Sequence, residues 1–175
     1  AAPGCDSASR QDGLRSVQGY YHLGCPIGGG VERNAWRRAS RLVGKGEGGA
    51  GLEAVFMGPG LEFARGAMVA VTGAELPPKV DGDRRETWTS FAVKAGEVLS
   101  FDFLKSGARA YIAVSGGIDI PEVLGSRSTY PPRALGCVQG RSLPARDELP
   151  PNAAARSVAY GRSRSREHTS QPQAR

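Results

Sequence analysis

Read for its pattern of apolar and polar positions, the chain is strand after strand. Between Gly51 and Ser115, short apolar stretches recur at roughly 8–12-residue intervals between glycine-bearing turns, the signature of an all-β barrel or sandwich. Leu52–Met57 runs into Gly58-Pro59-Gly60, and Leu61–Ala64 leads back. Ala67–Thr72 (AMVAVT) is apolar enough to be buried on both faces. Lys79–Arg84 contains Asp81-Gly82, a two-residue hairpin signal. Thr87–Lys94 and Glu97–Leu104 are joined by Ala95-Gly96, and alternation in the second predicts that Leu99, Phe101 and Phe103 face inward. In Gly107–Ser115, Ala108, Ala110, Ile112 and Val114 share one face, and Arg109, Tyr111, Ala113 and Ser115 the other. Asp147-Glu148-Leu149 reads as the end of one more strand.

One segment departs from period two. In Asn34–Val43 (NAWRRASRLV), Trp36, Ala39, Leu42 and Val43 fall on one helical face and Arg37, Arg38 and Arg41 largely outside it. Asn34 is the expected N-cap, and Gly44 is expected to stop the helix in the left-handed region. The arginines read as a solvated outer face. No aromatic stacking platform accompanies them, so nucleic acid is not an expected partner.

Composition agrees with many short elements: 25 glycines and 12 prolines stand among 175 residues. No apolar run is long enough to span a membrane. The three cysteines, Cys5, Cys25 and Cys137, form no C-x-x-C pair, which argues against a disulfide framework or a zinc site. A reducing cytoplasm is the simplest location, and Cys25 reads as a small packed thiol rather than a nucleophile. The isoelectric point near 9.6 is mostly a tail property. Residues 151–175 hold five arginines against Glu167, so +4 of the net +6 sits there. This tail lacks apolar periodicity and is expected to be disordered; residues 1–18 read as irregular, leaving 19–150 as the domain.

Candidate chemistry gathers in two loops. After the Gly107–Ser115 strand come Gly116-Gly117, then Pro121, suited to the first turn of a short helix that Gly125 would end. Ser126, Arg127, Ser128 and Thr129 follow, one guanidinium fork and three hydroxyls. Such donors at the mouth of a strand suit an anionic or carbonyl ligand. The same hydroxyls equally suit a turn that bonds its own backbone. Gly19–Gly30 (GYYHLGCPIGGG) is glycine-rich and carries His22, which titrates near neutrality, but it matches neither the phosphate-loop nor the dinucleotide pattern. No Ser-His-Asp arrangement or metal-ligand spacing emerges, so the catalytic residues are not assigned.

Five stretches together resemble a known family: GYYHLGCPIGGG (Gly19–Gly30), AWRRASRLVG (Ala35–Gly44), LEAVFMGPGLEF (Leu52–Phe63), MVAVTGAEL (Met68–Leu76) and SGARAYIAVSGGIDIPEVLGSRSTY (Ser106–Tyr130). In this order they resemble the allophanate hydrolase subunit 2 family, also called the KipA or 5-oxoprolinase C-subunit family, of biotin-dependent carboxyltransferase-like proteins. The resemblance covers roughly residues 11–149. Glu32 stands where the family usually has Asp, and GLRSVQ (residues 13–18) is longer than the usual link after Gln11-Asp12.

The resemblance implies a mainly β, cyclophilin-like antiparallel β-barrel with one main helix and short helical turns. It implies a role in a 5-oxoprolinase, which cleaves 5-oxoproline to glutamate with ATP, or in a urea amidolyase, which moves a carboxyl group from biotin to urea. The expected partners are an allophanate hydrolase subunit 1-like protein and a LamB/YcsF-type subunit, with an amide, lactam or urea substrate. No cofactor is expected on this chain itself; ATP, and biotin on a partner, come with the assembly. Family members are about twice as long, so this chain is expected to be a truncated copy that is not active alone. The alternative is a non-catalytic regulatory module, KipA-like, that pairs with a subunit 1 partner. For either, His22, Ser126, Arg127, Ser128 and Thr129 are the expected substrate-binding residues, with both loops on one side of the barrel. Arg127→Ala is expected to leave stability nearly unchanged.

Overall fold

The computed structural model describes residues 32–46, 49–124, 126–129, 143 and 147–150. One helix, α1 (Arg33–Leu42), is followed by strands β1 (Leu52–Val55), β2 (Leu61–Glu62), β3 (Ala67–Glu75), β4 (Pro78–Val80), β5 (Asp83–Arg84), β6 (Ser90–Val93), β7 (Val98–Phe101) and β8 (Ser106–Val114). Among the described residues the strands form two antiparallel sheets, β1-β8-β3-β6 and β2-β7-β4-β5. The chain is mainly β, as the period-two pattern predicts.

The two longest strands, β3 and β8, lie side by side at the centre of the first sheet, with Val71 opposite Ile112 and Thr72 opposite Tyr111. Their middle residues are buried on both faces, which is why Met68–Thr72 and Ala110–Ala113 run largely apolar without a clean alternation. Val69, Val71, Ala110 and Ile112 point into the main core, where they meet Leu99 and Val80 of the second sheet. Ala70, Tyr111 and Ala113 face the other way, against Trp36, Ala39 and Val43 of the α1 segment. The Trp36 and Tyr111 rings meet edge to face with centroids 6.1 Å apart. Thr72, wholly buried on the helix side, donates its hydroxyl to the Ala35 carbonyl at 2.8 Å.

Asp81-Gly82 forms the expected hairpin. Both residues have positive φ (48° and 91°), and Lys79 pairs with Arg84 and Val80 with Asp83. Asp102 fastens this hairpin to the end of β7, 2.7 Å from Arg84 Nη2 and 3.1 Å from Lys79 Nζ. The two cations hold its carboxyl below the usual carboxylate range, Arg84 first. Strands β6 and β7, consecutive in sequence, belong to different sheets, and the Ala95-Gly96 turn carries the chain from one to the other.

Four expectations are corrected. Asn34 is not the N-cap: α1 begins at Arg33, and Glu32 occupies the cap position without a side-chain bond. The helix starts earlier because the Glu32 N–H donates to the Tyr111 hydroxyl (2.8 Å) while its carbonyl accepts from Trp36 (3.1 Å). Phe103 does not face the core; it is 90 % exposed, because β7 ends at Phe101 and the alternation ends with it. Among the described residues no helix follows Pro121: Val123 and Ser126 exchange backbone bonds of 2.7 and 3.1 Å across a tight turn. A segment this short closes too few helical bonds to offset nucleation. Residues 147–150 form no strand; instead the Pro150 carbonyl accepts the Asp119 N–H at 2.7 Å. The expected irregular segment 1–18, the Gly19–Gly30 loop and the tail 151–175 lie outside the described residues.

Candidate functional site at the end of strand β8

Strand β8 delivers the chain to Gly116-Gly117, both at positive φ (78° and 79°). A side chain at Gly117 would press on Gly49 Cα and on the Lys45 stem, each at 3.3 Å, so glycine lets the two segments touch. Ile118 then pairs with Ala50, and Ile118 and Ile120 sink into the main core. This anchoring fixes where the loop ending in Ser126–Thr129 emerges.

Of the predicted residues, Ser126, Arg127, Ser128 and Thr129 lie together in this loop. Ser126, Ser128 and Thr129 are all at least nine-tenths buried. The Ser126 hydroxyl accepts the Ser128 N–H at 3.1 Å, a local turn bond. Arg127 donates through Nε to the Ile120 carbonyl at 2.8 Å, and its Nη2 lies 3.6 Å from Glu122. The guanidinium therefore ties down its own loop. Arg127→Ala is accordingly expected to lower stability by about 1–2 kcal/mol, measurable by urea unfolding, rather than leave it unchanged. Ser128 is different: its Oγ is buried and has no hydrogen-bond partner among the described residues. His22, the remaining predicted residue, lies outside the described residues.

Sequence reasoning passed over Lys45, which is 6 % exposed beside this corner. It also passed over a cleft of about 270 Å³ at the opposite end of β8, lined by Glu32, Glu75, Thr87, Trp88, Ser106 and Arg109 among others. The cleft opens where the β3–β8 ladder slips between Gly73 and Glu75. Arg109 Nε lies 3.3 Å from Glu53, itself almost wholly buried. Burial, and then the Glu53 carboxylate, push the Tyr111 hydroxyl up to about 12, so it acts as a hydrogen-bonding proton holder rather than an acid. The available signal was Glu53 on the face of β1 shared with Tyr111, with which it pairs.

These features bear on what the chain can hold. With Glu32 and Glu75 on its rim and Arg109 already paired to Glu53, the cleft disfavours a triphosphate. In the Ser126–Thr129 loop the guanidinium holds its own loop and the Ser128 hydroxyl is buried with no partner among the described residues, which suits one carbonyl oxygen better than a triphosphate. Among the described residues no cluster of His, Cys, Asp or Glu could hold a metal ion. None of the described helices is long and apolar enough to cross a membrane.

Comparison with known proteins agrees with the fold. The chain is 35 % identical over 142 residues to urea amidolyase of Saccharomyces cerevisiae, covering 80 % of this chain and 8 % of that protein. It is 35 % identical over 140 residues to the 5-oxoprolinase C-subunit of Escherichia coli, covering 80 % of this chain and 44 % of that one. The crystal structure of Kluyveromyces lactis urea carboxylase superposes with a TM-score of 0.79 at 32 % identity, over 91 % of this chain and 14 % of the other. The chain thus spans less than half the length of each. The family model for the carboxyltransferase domain, subdomain A and B, matches residues 23–175. On the fold, the identity to these relatives and this match, the chain belongs to the carboxyltransferase domain family, subdomains A and B.

Proposed function

We propose that the chain is a subunit of an assembly of the 5-oxoprolinase or urea carboxylase kind, supplying one face of the site that receives an amide, lactam or urea carbonyl. The observation that carries this reading is Ser128. Its buried hydroxyl has no partner among the described residues and stands next in sequence to a guanidinium fixed by Ile120 and Glu122, in a chain related to both kinds of enzyme. Leaving a hydroxyl buried and unbonded costs about 1–3 kcal/mol, a cost that a ligand supplying the missing partner removes. Preorganised donors of this type serve a reaction in which negative charge develops on oxygen. ATP, and biotin on a partner, come with the assembly. The partners are an allophanate hydrolase subunit 1-like protein and a LamB/YcsF-type subunit, in the cytoplasm.

The test is reconstitution. Co-purification with these two partners is expected to give ATP-dependent conversion of 5-oxoproline to glutamate that the chain alone lacks. Transfer of carboxyl from a biotinylated partner to urea, without oxoprolinase activity, would assign the urea branch. A complex that forms but catalyses neither reaction would instead support the regulatory module.

A further inference from the structure

Lysine is rarely buried without an acidic partner. Lys45, just past α1, is 6 % exposed. Its stem runs so close to Gly49 that a side chain there would collide with it, and it lies against Gly117. Its Nζ donates to the Gly49 carbonyl at 2.6 Å and the Ala50 carbonyl at 3.1 Å, and sits 4.2 Å from the centre of the Trp36 ring. Among the described residues, the groups facing it are the Trp36 ring from α1, two carbonyls from the segment before β1, and Gly117 from the turn after β8; Glu47, two residues on, lies outside the described residues. None of these titrates, and no described carboxylate forms an ion pair with it. Arg41, the last charged residue of α1, is exposed.

Two acceptors match the two N–H groups of a neutral amine. Among the described residues the third proton of an ammonium finds the indole face, a favourable partner but a weaker acceptor than a carbonyl. Burial accordingly pushes the Lys45 amine down to about 7. The Ala50 carbonyl is shared: it also accepts the Ile118 N–H at 3.3 Å. Two residues on, the Ile120 carbonyl holds Arg127. The path from Lys45 to the Ser126–Thr129 loop is therefore continuous.

We infer that Lys45 is a positioning residue: as a neutral amine it pins the corner from which the Ser126–Thr129 loop hangs, and protonation loosens that loop. The loop's role as a substrate face rests on the function proposed above; the pinning does not. The sign follows from linkage. Once the corner opens, Lys45 regains its ordinary value of 10.5, so the open state binds more protons between about pH 7 and 10.5. Opening is thus suppressed as pH rises through that window and is insensitive to pH below it.

Amide hydrogen exchange of this chain, corrected for intrinsic rates, tests this without any activity. Protection of the Ile118, Val123 and Ser126 amides should rise by up to tenfold per pH unit from pH 7 to 9, while Arg85 in the β4–β5 hairpin stays flat. In Lys45→Met the rise should vanish at all three amides. In Lys45→Arg, always charged, the three should be weakly protected at every pH. In a reconstituted assembly the acidic limb of activity should disappear in Lys45→Met. A flat wild-type profile, the same slope in Lys45→Met, or a slope at Ile118 that does not reach Ser126 would each overturn the proposal. Failure of the assembly to catalyse leaves the exchange result decisive, so the two readings fail separately.

Discussion

Trp36→Ala is expected to lower the unfolding free energy by about 3–5 kcal/mol, more than the loss of any single polar contact in the fold. Trp36 is 4 % exposed and closes the space between α1 and the β3–β8 pair. Its ring meets Tyr111 edge to face, covers Lys45, and packs on Gly51, where an added side chain would strike it. Alanine would leave a cavity bordered by Ala39, Ala70 and Ala113, too small to fill it. It would also strip the indole from a buried amine. In urea, the midpoint should fall with the slope unchanged. Phe103→Ala, at a large but 90 % exposed side chain, should change stability by less than about 0.5 kcal/mol. A small effect at Trp36 would mean that α1 is not packed on the sheet as described.

What the sequence made legible was what burial imposes on local pattern. The two faces of β8 and the apolar run of β3 follow from strands covered on both sides, and Asp81-Gly82 could hardly form anything but a tight hairpin. The helix was visible through Trp36, Ala39 and Val43, although its start was not, because the deciding bond comes from Tyr111, 79 residues away. Phe103 was misjudged because alternation does not say where a strand stops. The loop after Pro121 was misjudged because Asp119, Val123 and Ser126 take partners that local propensity cannot foresee. In the candidate site, Ser126–Thr129 stood out by composition. The engagement of Arg127 with Ile120 and Glu122 did not, since a guanidinium reads the same whether it holds a ligand or its own loop. Lys45 lay among glycines with no periodicity to show that it turns inward.

Ser128→Ala separates a functional hydroxyl from an idle one. In the isolated chain the hydroxyl is buried with no partner among the described residues, so its removal is expected to raise stability by about 1 kcal/mol. In the reconstituted assembly the same change removes a donor from the site and is expected to lower kcat/KM by about 100-fold. The two effects have opposite directions, which a general structural lesion cannot produce. The most direct measurement is therefore kcat/KM of the assembly carrying Ser128→Ala, taken with the thermal midpoint of the same preparation. The account predicts a loss of about 100-fold at an equal or higher midpoint. Unchanged kcat/KM at a higher midpoint would contradict it, and would make Ser126–Thr129 a structural turn.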